Sequence, residues 1–261
     1  MVLTSKRSDG KTLILSMTLL LMLTWGTGCQ SGETKPLRVA VSSNFVTTFR
    51  ELAAAYGDTS GVEIVDSSGS TGLLMAQIRN GAPFDVFLAA DDRRPAFLES
   101  EGRIVPGSRF TYAEGLLVLW TPRPHLTPDA VLELLTRSDS RISLANPKQA
   151  PYGRAALEYL DLSGLSETVT DRLVYGTNAN QAHQFVATEN AGVGFVAKSQ
   201  ITDGKGSSWI VPLNKYRPIR QQAVQLSADV RGSAFLTFLR SPEAQAVIKK
   251  HGYTVMSHGA D

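Results

Sequence analysis

Four short apolar runs in this chain each end in a cluster of Ser, Thr, Asn and Gly that opens an amphipathic segment. They are Val39-Ala40-Val41 into Ser42-Ser43-Asn44, residues 62–65 into Ser67-Ser68-Gly69-Ser70-Thr71, residues 142–145 into Asn146 through Tyr152-Gly153, and Val174-Tyr175 into Gly176 through Gln181. Each reads as a strand that ends at a helix N-terminus, where the first N–H groups have no intrahelical acceptor and about half a positive charge gathers. One such cluster by itself only caps a helix. Several brought together would hold an anion without any Lys or Arg.

The elements needed to position these clusters can be read around them. Apolar runs predict strands at residues 37–41, 62–65, 86–89, 116–120, 142–145, 173–175, 193–196, 210–213 and 223–226. Helical spacing lies between most of them. Phe45, Phe49, Leu52, Ala53 and Tyr56 follow Asn44, and Leu73, Leu74, Gln77 and Ile78 follow Thr71. Near the end, Ala234, Phe235, Phe238 and Leu239 form one stripe, and Ala244, Val247 and Ile248 another behind Ser241-Pro242-Glu243. The fold class is therefore α/β. The run at residues 116–120, followed by Thr121-Pro122-Arg123-Pro124, reads as a strand leaving one lobe, and Tyr216-Arg217-Pro218 as the return. Two crossings imply two lobes and a cleft, and in open α/β sheets ligands bind beyond the carboxyl ends of the strands, where all four clusters fall.

Composition narrows the class of partner. The chain has 261 residues, is 43% hydrophobic, and holds 26 basic and 24 acidic residues. Setting aside Lys6, Arg7, Lys11 and Asp9 in the first 28 residues leaves 23 of each, a neutral balance that argues against nucleic acid. Those three cations precede an apolar stretch of about 13 residues, 13–25, which is short for a membrane span. Gly26-Thr27-Gly28 then precedes Cys29, the one cysteine of the chain. Residues 1–28 thus read as an export signal. With Cys29 directly behind small residues, the segment resembles a bacterial lipoprotein signal, although Gly26 departs from the Leu most often found there. On that reading Cys29 is lipidated and the mature protein is periplasmic or extracytoplasmic and anchored to the membrane. Residues 29–36 make a short polar tether, and a single cysteine allows no internal disulfide.

Catalytic constellations are missing from the pattern. His125, His183, His251 and His258 are scattered, with no metal-ligand spacing, and the Ser-rich loop has no His base beside it and no Gly-x-Ser-x-Gly elbow. Arg79, Arg93, Arg94 and Arg154 follow helix starts and could attract anions, but read first as solvated surface. No enzyme, cofactor or protein-held metal is expected.

Several segments in order carry a family likeness. Val39 to Phe45, Ser67 to Gly72, Gln77 to Phe87 with Ala89-Ala90-Asp91, Asn146-Pro147-Lys148 with Ala150-Pro151-Tyr152-Gly153, and Gly192 to Ala197 together resemble the periplasmic molybdate-binding proteins of ABC transporters, from about Leu37 to Tyr253. The resemblance implies a type II periplasmic-binding-protein fold, two α/β lobes joined by hinge strands. Residues 37–117 and 221–257 would form lobe 1 and residues 118–220 lobe 2. It also implies capture of molybdate, and of tungstate, for a membrane permease by a monomer, with sulfate or thiosulfate as the alternative ligand. A hydrolase lies far behind.

Binding residues carry over where the motifs match. They are Ser43 and Asn44, Ser70 or Thr71, Tyr152, and a backbone N–H near Ala179. A Tyr that some relatives use after the Gly-Phe-Val strand is Ala197 here, and the Tyr152 hydroxyl is the expected replacement. The chemistry is consistent, because molybdate oxygens only accept hydrogen bonds and every one of these residues has a donor to give.

Overall fold

Strands that are apolar at nearly every position can bury both faces, and each of the two sheets of the chain is built around such strands. The computed structural model describes residues 1–2, 35–136 and 139–255; the signal, Cys29 and most of the tether lie outside the described residues. The first sheet contains β1 (Leu37–Ser42), β2 (Ile64–Gly69), β3 (Val86–Ala89), β4 (Phe110–Gly115) and β10 (Ile219–Gln225) in the spatial order β2-β1-β3-β10-β4. The second contains β5 (Leu117–Thr121), β6 (Ile142–Ala145), β7 (Leu173–Gly176), β8 (Val193–Ala197) and β9 (Ser207–Ile210) in the order β7-β6-β8-β5-β9.

The two sheets repeat one plan. In each, four of the five strands run in one direction, and one later or earlier strand enters antiparallel: β10 between β3 and β4, and β5 between β8 and β9. The chain passes from the first sheet to the second at Leu116, a single residue between β4 and β5, and returns before Ile219, which pairs with Gly115. This is the two-lobed α/β architecture.

Period-two alternation assigns each strand to two cores. Leu37, Val39 and Val41 of β1 and Val86 and Leu88 of β3 join one apolar cluster, while Ala40, Phe87 and Ala89 join the other. The first cluster takes in the helices α1 (Val46–Ser60), α8 (Val230–Leu239) and α9 (Pro242–Lys250), and the second α2 (Thr71–Arg79) and α3 (Arg93–Ser100). In the second sheet Leu117 and Leu119 face the cluster that holds α5 (Pro151–Leu162), whereas Val118 and Trp120 face the cluster beside α7 (Ala179–Ala187). Two short helices, α4 (Pro128–Glu133) and α6 (Ser166–Val169), complete this lobe.

Three expectations need correction. The second strand lies at Ile64–Gly69 rather than 62–65, because Ser67, Ser68 and Gly69 extend the ladder opposite Ala40, Val41 and Ser42. At a sheet edge the polar side chains face outward while the backbone still pairs, so only Ser70 is left to start the helix. The strand expected at 210–213 is Ser207–Ile210, stopped before Pro212, which has no N–H for a ladder. Strand β4, of sequence Phe-Thr-Tyr-Ala-Glu-Gly, is absent from the apolar pattern and forms because β10 pairs along it.

Candidate functional site

Each cluster identified in the sequence sits where a strand ends, and the four ends meet between the lobes. Behind β1, a 3-10 turn of Ser43–Phe45 starts without a side-chain cap, so its first N–H groups are left for another partner. The Ser43 hydroxyl accepts the backbone N–H of Ala179, the first residue of α7 in the other lobe, at 3.1 Å. Behind β2, the Ser70 hydroxyl caps Leu73 N–H at 3.3 Å and donates to Oε1 of Gln149, again across the cleft, at 3.2 Å. The Gly72 N–H reaches the Gln149 carbonyl at 2.9 Å. The Thr71 hydroxyl lies 2.9 Å from that of Ser42, and both face the Ala90 N–H. Ser43, Asn44, Ser70, Thr71, Tyr152 and Ala179 are between 1% and 6% exposed. Six residues spread over 137 positions of sequence thus form one buried seam.

The structure gives two of these side chains other work. Both Nδ2 hydrogens of Asn44 are taken, by Oε1 of Gln221 at 3.0 Å and by the Tyr253 hydroxyl at 3.1 Å. What Asn44 can offer a ligand is its backbone N–H. Tyr152 has its hydroxyl against the Cα of Gly115, where an added Cβ would lie 2.0 Å away, and accepts from Nε2 of Gln221 at 3.4 Å. Its hydroxyl therefore faces the hinge strands. The first turn of α5, including the N–H groups of Tyr152 and Gly153, has no side-chain cap at Ala150.

Four residues that the sequence reading did not single out hold the seam. Gln221, fully buried on β10, also accepts the Tyr112 hydroxyl at 3.1 Å. Ser199, in the 3-10 turn Lys198–Gln200 behind β8, donates to the Asn44 carbonyl at 3.0 Å. The Tyr253 hydroxyl lies 2.9 Å from that same carbonyl and 2.8 Å from the Ser199 hydroxyl, its one proton serving one of them. Gln149 is the fourth. A signal was available for Gln221 alone, a polar residue inside the buried strand Ile-Arg-Gln-Gln-Ala-Val-Gln.

Among the described residues no carboxylate bonds the seam. Asp91, next to the Ala90 whose N–H meets the Ser42 and Thr71 hydroxyls, is held by Arg94 in its own lobe and by Arg154 across the cleft, the latter at 3.4 Å. Among the described residues no group of His, Cys, Asp and Glu could hold a metal ion. His183 stacks on Trp120 with ring centres 4.8 Å apart, and burial lowers its pKa. His251 bonds Glu51 at 2.7 Å.

Burial raises the hydroxyl pKa of Tyr112 and Tyr152 well above the ordinary tyrosine value and that of Tyr253 up to about 12. The cluster is therefore neutral at physiological pH and donates without carrying charge. Because the folded values exceed the unfolded value of about 10, the stability contributed is complete below that pH and is lost as pH rises through the folded values. Denaturant titrations are expected to show stability falling above about pH 10, less steeply in Tyr253→Phe. Equal slopes in the two proteins would contradict this.

A neutral, donor-lined seam between two lobes is the geometry of a binding cleft, and comparison with known proteins decides which kind. The family model described as bacterial extracellular solute-binding protein matches residues 37–254. The chain belongs to this family. It is 46% identical over 230 residues to the molybdate-binding protein ModA of Azotobacter vinelandii, covering 85% of this chain and 91% of that protein. To the molybdate-binding protein ModA of Rhodobacter capsulatus it is 44% identical over 218 residues, covering 82% and 86%. The solved structure of the Azotobacter vinelandii periplasmic molybdate-binding protein superposes with a TM-score of 0.81 at 39% identity, covering 85% of this chain and all of that one. These relatives are, by name, binding proteins.

Proposed function

We propose that this protein captures molybdate outside the cytoplasm and delivers it to an ABC importer. The observation that carries the reading is the seam of neutral donors from four helix starts, found in a chain 46% identical to a molybdate-binding protein. A dianion whose oxygens only accept hydrogen bonds is matched by N–H and O–H groups with no carboxylate among them. A protonated phosphate would set its own O–H against donors, at a cost of about 1–3 kcal/mol. Tungstate has the same charge and shape and belongs to the same reading.

We assign the contacts to Ser43, Ser70 and Thr71 through hydroxyl and backbone groups, and to Asn44, Tyr152 and Ala179 through backbone N–H. The burial of all six, and the cross-lobe bonds made by Ser43 with Ala179, by Ser70 with Gln149, by Asn44 with Ser199 and by Tyr152 with Gln221, support this. Residues 37–117 with 221–257 form lobe 1 in this reading and residues 118–220 lobe 2, a division that the sheet membership of β5 and β10 supports to within a few residues. The protein acts as a monomer and carries no cofactor.

Calorimetric titration tests the reading. One molybdate per chain is expected, with tungstate comparable, sulfate much weaker and phosphate without effect. Sulfate binding as tightly as molybdate, or heat from none of the four, would overturn it.

Ser199 supplies a finer check. Ser199→Ala removes the donor to the Asn44 carbonyl and a neighbour of the Tyr253 hydroxyl, and one hydrogen bond contributes about 0.5–1.5 kcal/mol net. Release of radiolabelled molybdate into excess unlabelled ligand is expected to quicken by roughly three- to tenfold. An unchanged release rate would remove Ser199 from the closure contacts.

Cys29 is assigned as the lipidated first residue of the mature protein. Two acyl chains anchor stably, so the exported protein is expected in the detergent phase of a Triton X-114 partition and Cys29→Ser in the aqueous phase. Both proteins in the aqueous phase would mean a diffusible binding protein.

A further inference from the structure

The seam carries no full positive charge, yet the ligand assigned to it is a dianion. Attraction from helix ends falls off within the first turn. A neutral site therefore grips an anion that has arrived but does little to draw one in.

Full positive charges lie at its edge. An open pocket of about 470 Å³ is lined by Arg79, Arg93, Arg94, Phe97, Lys148 and Arg154, among others. It spans both lobes, with Arg79, Arg93 and Arg94 from α2 and α3 on one side and Lys148 and Arg154 on the other. The pocket adjoins the seam directly. Arg94 donates to the Lys148 carbonyl at 3.2 Å, and its guanidinium lies 3.0 Å from where a Cβ on Gly72 would stand. Gly72 is the residue bonded to Gln149, next to Thr71.

The charges at this edge do not cancel. Asp91 pairs with Arg94 and Arg154, and Glu101 pairs with Arg79 and with Arg103. Asp92 adds one more acid beside Arg93. Arg93 and Lys148 are exposed, line the pocket from opposite lobes, and have no carboxylate within ion-pair distance among the described residues. Such an arrangement attracts oxyanions at a range of about 10 Å at 0.1 M salt, where the neutral seam cannot.

We propose that this cationic pocket is a first-contact site for the oxyanion: Arg93 and Lys148 raise its capture rate before the lobes close over it at the seam. The proposal rests on the oxyanion reading above. It assigns these residues to the rate of association and leaves the rate of release to the seam. Because only charge is read there, molybdate and tungstate are steered alike.

The test uses the whole protein and its double variant Arg93→Glu/Lys148→Glu. The dissociation constant for molybdate comes from equilibrium dialysis, the release rate from exchange of radiolabelled against unlabelled molybdate, and the association rate from their ratio, between low and high ionic strength. Steering of this kind changes association rates by about 10- to 1,000-fold, so a fall of at least about tenfold is expected at low salt. The release rate should stay within about twofold and the difference should shrink as salt screens it. Reversing Lys205 and Lys249, which line no part of the pocket, applies the same net charge change and is expected to have a much smaller effect. An association rate in the pocket variant no lower than in that control would overturn the proposal while leaving the oxyanion reading intact. A parent protein that binds no molybdate in dialysis would overturn both.

Discussion

Ser70→Asp is expected to fold as stably as the parent protein and to bind molybdate at least about a thousandfold more weakly. Ser70 is the N-cap of α2, with its hydroxyl on Leu73 N–H. Asp caps as well as Ser, and a negative charge at a helix N-terminus is favourable. Helix α2 therefore has no reason to weaken, and Gln149 can turn its amide to donate where it now accepts. The new carboxylate, however, would stand at a position 3% exposed, beside a dianion. At about 4 Å and an effective dielectric constant of about 20, each pair of unit charges repels by about 4 kcal/mol, close to a thousandfold in affinity. Denaturation and calorimetric titration of the same preparation separate the two effects. Parent-like affinity in a stable Ser70→Asp protein would mean that Ser70 is a cap and nothing more.

Gly153→Ala is expected to lose both stability and binding. A Cβ at this position would lie 1.8 Å from the carbonyl oxygen of Ala145, 2.7 Å from its carbon and 3.1 Å from Pro147 N. The obstacle is backbone, so no rotamer relieves it. Either α5 moves away from the end of β6 or the loop between them rearranges, and both displace the uncapped first turn that carries the Tyr152 and Gly153 N–H groups. Overpacking typically costs about 1–3 kcal/mol and occasionally more, and a displaced turn takes donors from the seam. Gly81→Ala is the control. Its φ of +85° makes Ala strained, but nothing lies within 4 Å of the added carbon, so a modest stability loss with unchanged affinity is expected. Thermal unfolding and titration of both variants decide the matter, and full binding by Gly153→Ala would contradict the described approach of α5 to β6.

The difference between these sites reflects what local sequence can carry. Strands buried on both faces, such as Val86–Ala89 and Ile142–Ala145, are continuous apolar runs and were legible with correct ends. Polar clusters behind them marked helix starts, because the physics of an unpaired N–H is local. Edge strands were harder to read. Strand β4 and the second half of β2 pair through backbone, which leaves no apolar signature.

Side-chain direction was not legible either. Asn44 and Tyr152 both have a donor to give, but Gln221, which receives one and touches the other, is 177 and 69 residues away in sequence. Ser199 and Tyr253 meet Asn44 from comparable distances along the chain. Such contacts follow from the way two lobes meet, and no local spacing announces them. For the same reason, Arg93, Arg94 and Arg154, in the first turns of their helices, read as solvated surface in the sequence although the fold places them with Lys148 in one pocket. Arg79, expected behind a helix start, is the last residue of α2.

Thermal unfolding of the protein, alone and with excess molybdate, tungstate, sulfate, phosphate or citrate at constant ionic strength, tests the central claim most directly. A ligand at 100 times its Kd stabilises the native state by about 2.7 kcal/mol, which for a chain of this size is a rise of roughly 5–10 °C in Tm. The account predicts that rise with molybdate and tungstate, and none with phosphate or citrate. No shift with any oxyanion would contradict it, leaving the four helix ends as caps without a ligand.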